Sequence, residues 1–385
     1  MGRAERRDII QRIEAGRQSR VLCYLTSDRP NAGSMIQKDA IPYFYAHLRQ
    51  IGDADRLDVF VVSMGGDTLA AFGMARLARE FSQNVCTLVP DKCLSAGTLF
   101  ALGANQIVMT RGAMLSPIDP SVGGPLNPAV ELVPGLRQLV PLSVESVAGY
   151  LDLVTEEWGL RGEEALSAAF KHLVDRINPV ALGNVFRARE QIERLAHTLL
   201  TQHRHDDRAI ERIIETLTKE LGSHDYLISR REARELLGAQ VSGDDGVLEG
   251  LIAELYEDFA AEMHLGLPYD PNLELHAAQA VAAAALAAQA PAPAPAPATP
   301  GPGGPSAPAP IPPPAPALPQ SIRLVKTAAI IESFGMGHAS ESEVEIQRTQ
   351  GPGTPMMMPG VGMVMQSPQT AVREEVVRSA WRRYA

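Results

Sequence analysis

Two glycine-bearing turns carry the residues best placed to do chemistry. Ser63-Met64-Gly65-Gly66-Asp67 follows one β-rich run, and Leu94-Ser95-Ala96-Gly97-Thr98 follows another about 30 residues later. A Gly-Gly turn lets backbone N–H groups approach a ligand with no Cβ in the way. A serine that opens a helix sits beside unsatisfied N–H groups and the positive end of the helix dipole. Such donors can stabilise the oxyanion of a tetrahedral intermediate, and losing one costs roughly 10²–10³ in rate. Together the turns would suit a hydrolase in which Ser95 attacks a carbonyl. Each alone has an ordinary explanation. Ser-Ala-Gly at a strand–helix junction commonly caps a helix, and Gly-Gly after a strand is commonly a plain turn. The spacing of a P-loop is absent.

The elements that must position these turns are legible around them. Val21–Thr26 and Leu57–Ser63 are short apolar runs that predict buried strands. Gly65-Gly66 breaks the second, and Thr68–Phe81 has helical character. Val85–Val89 predicts a strand, Ser95–Leu102 a helix, and Ile107–Met109 a brief strand. Strands and helices alternating at this spacing predict an α/β fold with a largely parallel sheet. Farther on, Ile210, Ile213, Ile214, Leu217 and Leu221 form one helical apolar stripe. Val247, Leu248, Leu251, Ile252, Leu255, Tyr256 and Phe259 form another, so the second half predicts helices.

Composition breaks once. From Ala290 to Pro319 the chain is almost wholly Pro, Ala, Gly and Ser, which predicts an extended spacer. The expected organisation is a folded body over 1–285, a Pro/Ala-rich linker over 286–320 and a mostly disordered tail over 321–385. The tail holds one short apolar run, Ile322 to Ile331, the methionines 356–358 and a terminal Trp381. Across 385 residues, Lys plus Arg total 35 and Asp plus Glu total 45, a formal charge of −10. That balance argues against nucleic acid as the main partner. Cys23, Cys86 and Cys93 are too few for a disulfide framework and read as buried free thiols. No Cys-x-x-Cys pair suggests zinc. The first twenty residues lack the apolar stretch of a signal peptide, and no apolar run reaches membrane-spanning length. A cytoplasmic location is expected.

The two turns as a set are more specific than either alone. Ser63-Met64-Gly65-Gly66-Asp67, then Ser95-Ala96-Gly97-Thr98-Leu99, then Ser116-Pro117-Ile118-Asp119-Pro120 resemble the Clp/crotonase superfamily of serine peptidases. With Ser223-His224-Asp225-Tyr226 following in order, the pattern resembles the serine dehydrogenase proteinase family within it. The resemblance covers roughly residues 20–265. It implies a Clp/crotonase-like α/β fold of repeated ββα units with a helical second half. It implies Ser95 as nucleophile, and Gly65 or Gly66 with Ala96 as oxyanion donors. The base is not at its Clp position, because Met114–Asp119 holds no histidine. The Ser, Asp, His order attributed to the related family selects Asp119 and His224. This chain departs from the family at Ala96 and Ser116, which stand where relatives carry glycine, and at Ser63-Met64.

Such a trio is chemically sound, since a serine is a poor nucleophile until a base takes its proton. Lys171 is an alternative base, by analogy with the Ser-Lys dyad of signal peptide peptidase A. His172 beside it, His197, His203 and His205 read as surface residues, with no pattern for a closed metal site, and Lys92 reads likewise. The expected function is a serine endopeptidase acting on peptides or unfolded chains, with no cofactor and no metal. The expected assembly is a homo-oligomer, with a protein partner reached through the C-terminal tail. Two other readings remain open: an esterase or thioester hydrolase on the same fold, and a catalytically inactive oligomeric scaffold.

Overall fold

The computed structural model describes residues 3–133, 136–203, 206–243, 246–289, 319–350, 355–358, 362–365 and 370–384. The chain divides into two compact units. The first comprises Met1–Gly266, Thr327–Ser340 and Trp381–Ala385; the second comprises Leu267–Lys326 and Glu341–Ala380.

The first unit is built on alternating helices and strands: α1 (Arg3–Arg17), β1 (Arg20–Thr26), α2 (Ile41–Ile51), β2 (Leu57–Val62), α3 (Thr68–Phe81), β3 (Val85–Val89), α4 (Ala96–Leu102) and β4 (Gln106–Met109). All six residues of β2 and all five of β3 are buried, which is why both read as mainly apolar runs rather than alternating ones; the exceptions are Thr87 and Asp58, the latter held by Arg17 and Ser19. The apolar faces of α2, α3 and α4 pack on one side of the sheet around Phe44, Met74 and Leu99. On the other side, Ile9, Ile10 and Ile13 of α1 meet Phe60, Leu88 and the later helix carrying Ile252 and Phe259.

Short strands follow: β5 (Met114–Leu115), β6 (Ser121–Val122), β7 (Ala129–Val133), β8 (Leu136–Leu139) and β9 (Leu142–Ser143). The helical stretch then runs α5 (Val144–Asp152), α6 (Glu163–Arg176), α7 (Pro179–Leu200) and α8 (Asp207–Glu215). After it come β10 (Ile228–Ser229), α9 (Arg230–Leu237), β11 (Val241–Ser242) and α10 (Val247–Met263). Then α11 (Pro271–Gln289) precedes β12 (Ser321–Ser333), β13 (Met336–Gln350), β14 (Pro355–Met358), β15 (Gly362–Met365) and β16 (Thr370–Tyr384).

The main sheet has eight strands in the order β11-β4-β3-β2-β1-β12-β13-β16. From β11 to β1 every pairing is parallel, whereas β1 pairs antiparallel with β12, Tyr24 opposite Ile331. The expected α/β class with a largely parallel sheet is what the chain adopts.

The C-terminal segment departs from expectation. Residues 321–350 and 370–384, read as mostly disordered, form long strands, and β12 adds a member to the main sheet. Ile330 and Ile331 are fully buried, and so is Glu332. Glu332 accepts from the Arg6 guanidinium at 3.1 Å, and Asp258 accepts from the same group at 3.2 Å. Glu262 of α10 also pairs with Arg6. Nearby, His47 lies 2.8 Å from Ser333 Oγ and 3.1 Å from His338, with burial pushing its pKa down to about 3. The expected linker begins inside α11, and its residues 290–318 lie outside the described ones.

Two outcomes follow for stability. Removing residues 319–385 strips β1 of its antiparallel neighbour, leaving it only β2, and leaves Arg6 without Glu332. The truncated chain is expected to lose more than about 10 °C in melting temperature, or to be insoluble. Arg6→Ala should destabilise by about 3–5 kcal/mol, because it leaves buried carboxylates unpaired. Chemical denaturation of both chains checks this, and an unchanged midpoint would remove β12 from the stabilising core.

Candidate active site

The sheet delivers both turns to one edge, at the C-terminal ends of its parallel strands, where α/β folds place their sites. Gly65 and Gly66 follow β2, and Ser95 follows β3. Parallel bridges between Ser63 and Cys93, and between Lys92 and Met114, hold the strand extensions side by side. The Ser63 N–H donates to Lys92 O and the Leu94 N–H to Ser63 O, at 2.8 and 2.9 Å.

Ser95 stands at the N-cap position of α4, but its side chain makes no capping bond. Its backbone is at φ +49° and ψ −112°, a left-handed conformation that costs a serine about 1–3 kcal/mol. The ordinary reading of Ser95 as a helix cap therefore fails. The backbone bend instead frees the hydroxyl from the helix end. Gly65, at φ +112°, packs directly on it, and a Cβ there would lie 2.8 Å from Ser95 Cβ and 3.3 Å from its Oγ. Gly66, at φ +137°, leaves no room for a Cβ against the Ile36 backbone.

Donors near Ser95 are partly committed. The Gly65 N–H donates to Ser63 Oγ at 3.1 Å, and the Ser95 N–H donates to Ser116 Oγ at 2.7 Å. The Gly66 N–H makes no hydrogen bond among the described residues, since the bridge to Ile36 uses Gly65 O and the Asp67 N–H. Ala96 is the first residue of α4, where a helix leaves its N–H without an internal acceptor.

Asp119 and His224 meet. His224 Nδ1 lies 2.8 Å from Asp119 Oδ1, across 105 residues of sequence. Asp119 is 2% exposed, and its second oxygen, Oδ2, has no hydrogen-bond partner among the described residues. The hydrogen bond to Asp119 raises the His224 pKa above its ordinary value; partial burial opposes this, and the charges of Asp119 and Asp225 reinforce it. With the Nδ1 proton held by Asp119, Nε2 is the nitrogen left to act as a base.

Ser95, Asp119 and His224 all line one open cleft of about 910 Å³, together with Gly66, Met64, Met35, Lys38 and Gln191. Lys171 is not among the lining residues; it is exposed on α6, as is its neighbour His172. His197 lines a different surface cleft, with Glu190, Glu193 and Lys219. Lys92 pairs with Asp28 at 2.7 Å rather than standing free. All three cysteines are free and buried, and burial pushes Cys86 and Cys93 up to about 12, so neither supplies a thiolate. Among the described residues no His, Cys, Asp and Glu cluster could hold a metal ion, and no helix is long and apolar enough to cross a membrane. Reading the sequence missed Ser63 and Ser116 as hydrogen-bonding hubs. Ser116 had a signal, since it stands where the resembled family has glycine.

Residues 2–138 match the family of ClpP-like SDH-type serine proteinases. The match holds both turns, Ser95 and Asp119, but not His224. Two uncharacterized proteins of Methanocaldococcus jannaschii are each 26% identical over 180 residues, 47% of this chain. The chain spans about half the length of these curated relatives, 51% of one and 50% of the other. A solved structure of a membrane-bound stomatin-specific protease, as a serine-to-alanine mutant, aligns with 60% of this chain and 83% of its own. It shows 14% identity and a TM-score of 0.33.

Two measurements test the geometry. Gly65→Ala should abolish labelling by a fluorophosphonate probe, because a side chain there displaces Ser95; full labelling would show that the contact is relaxed in solution. The labelling rate should fall as pH drops through the raised His224 pKa, since a protonated imidazole accepts no proton. The acid limb is thus expected above the ordinary value of about 6.5. In Asp119→Asn it should move down in pH while the plateau falls by orders of magnitude. An acid limb indifferent to Asp119 would exclude the pair.

Proposed function

We propose that this chain is a serine endopeptidase in which Ser95 attacks the substrate carbonyl and His224 accepts its proton. Asp119 holds the imidazole by Nδ1 and stabilises the imidazolium that forms. The N–H groups of Gly66 and Ala96 receive the oxyanion, because those of Gly65 and Ser95 are already given to Ser63 and Ser116. The proton on His224 then passes to the leaving amine. Water repeats the sequence on the acyl-enzyme, with His224 again as base.

The observation that carries this reading is the 2.8 Å contact between His224 and Asp119 in the cleft that Ser95 also lines. The strained Ser95 backbone supports it further, since a purely structural serine would not need that conformation. An open cleft with exposed Met35, Met64 and Leu69 on its walls suits an extended polypeptide bearing apolar side chains. Lys38, paired with Asp67 at 3.3 Å, stands in the same wall.

The test is covalent labelling followed by peptide mapping. A fluorophosphonate should modify Ser95, and Ser95→Ala should abolish both labelling and cleavage of an unfolded protein while melting within a few degrees of the parent chain. His224→Ala should lower the rate by about three to four orders of magnitude. Retained hydrolysis in Ser95→Ala would overturn the assignment. Turnover of acyl esters without peptide cleavage would shift it to an esterase.

A further inference from the structure

The geometry points to Ser116 as a positioning residue that ties the nucleophile turn to the strand and loop carrying the base. The inference rests on the reading of Ser95 as nucleophile and extends it to a residue that nothing in the resembled family's pattern supplies. Ser116 is 2% exposed, and both its N–H and its hydroxyl are engaged. Its Oγ accepts the Ser95 N–H at 2.7 Å and donates to Pro117 O at 3.0 Å. Its N–H donates to Thr98 Oγ1 at 3.0 Å, and the Thr98 hydroxyl donates to Cys93 O at 2.9 Å. Ser116 is thus tied to the residues just before the nucleophile and to the helix just after it.

The flanks of Ser116 reach the other two members of the trio. The preceding Leu115 pairs with Ile228 and Met114 with Ser229, so β5 anchors the chain a few residues beyond His224. Following it, Pro117-Ile118 leads directly to Asp119, and the Ile118 N–H donates to Leu217 O at 2.9 Å. The residue whose hydroxyl holds Ser95 therefore also joins the strand that fixes the His224 segment to the loop that carries Asp119.

Two consequences follow. The bond from the Ser95 N–H to Ser116 helps hold a backbone conformation that a serine adopts only under constraint. It also removes the Ser95 N–H from the oxyanion donors, leaving Gly66 and Ala96. A glycine at position 116 could do neither, since it has no hydroxyl.

The experiment compares Ser116→Ala and Ser116→Gly with the full-length parent chain, using a fluorophosphonate and following both the rate and the endpoint of labelling. Expected are a labelling rate lower by about ten- to a hundredfold, an endpoint of one label per chain, and an unchanged acid limb in the pH profile. Thr98→Val should show the same signature and Thr98→Ser should not. A role in overall stability alone would instead lower the endpoint with the melting temperature and leave the surviving molecules at full rate. Either that result or a parental rate in Ser116→Ala overturns the inference while the Ser95 assignment stands. Labelling that persists in Ser95→Ala overturns the underlying reading instead.

Discussion

Two backbone turns approach more closely than side chains permit, and the candidate site is organised around that contact. Gly65 sits against Ser95 where a Cβ would be 2.8 Å from its neighbour's. The approach is possible because β2 and β3 are adjacent parallel strands whose extensions continue to bond, residue 63 to residues 92 and 94. Backbone bonds of this kind offset the cost of the left-handed Ser95. The Leu99 N–H closes on Ser95 O and the Gly97 N–H on Leu94 O, so α4 begins without help from the serine hydroxyl. What the strain leaves available is a half-buried hydroxyl in a cleft with two uncommitted amides nearby.

The carboxylate and the imidazole illustrate a second constraint. A carboxylate as buried as Asp119 is costly unless paired. The histidine that pairs with it is 38% exposed on its side chain, so it keeps contact with both the buried oxygen and the cleft. The partner comes from the segment between the last turn of the α8 region and β10, held in place by the β5–β10 pairing. Burial on one side and access on the other suit a proton acceptor that must change charge.

The C-terminal strand belongs to the same physical account. β12 enters the first unit as an antiparallel neighbour of β1 and brings a buried glutamate with it. That charge is tolerable only because Arg6, itself 1% exposed, reaches it together with Asp258 and Glu262. The Tyr384 hydroxyl donates to the same glutamate at 2.6 Å. Within the second unit, Lys326 pairs with Glu374 at 2.5 Å and Arg323 with Glu345 at 2.9 Å.

The local signals for β1 to β4 and for α3 and α4 were strong because each of those elements is buried over its whole length or one full face. Their hydrophobic periods survive in one dimension, and the glycines of the first turn are dictated by φ values and contacts that exclude a Cβ. Ser95, Asp119 and His224 could be named as candidates through the resemblance of their short motifs, in order, to a known family. Their convergence could not, because Asp119 and His224 lie 105 residues apart. The role of Ser116 was equally hidden, since a serine beside a proline has no periodicity to announce what its hydroxyl will touch. The strand at 321–333 was misread for the same reason: its stability comes from β1 and Arg6, some 300 residues upstream. Sequence determines which segments must be buried and where a turn must break a strand, because those demands are local. Only the tertiary structure decides which distant charges and hydroxyls meet, because hydrogen bonds and ion pairs depend on distance in space.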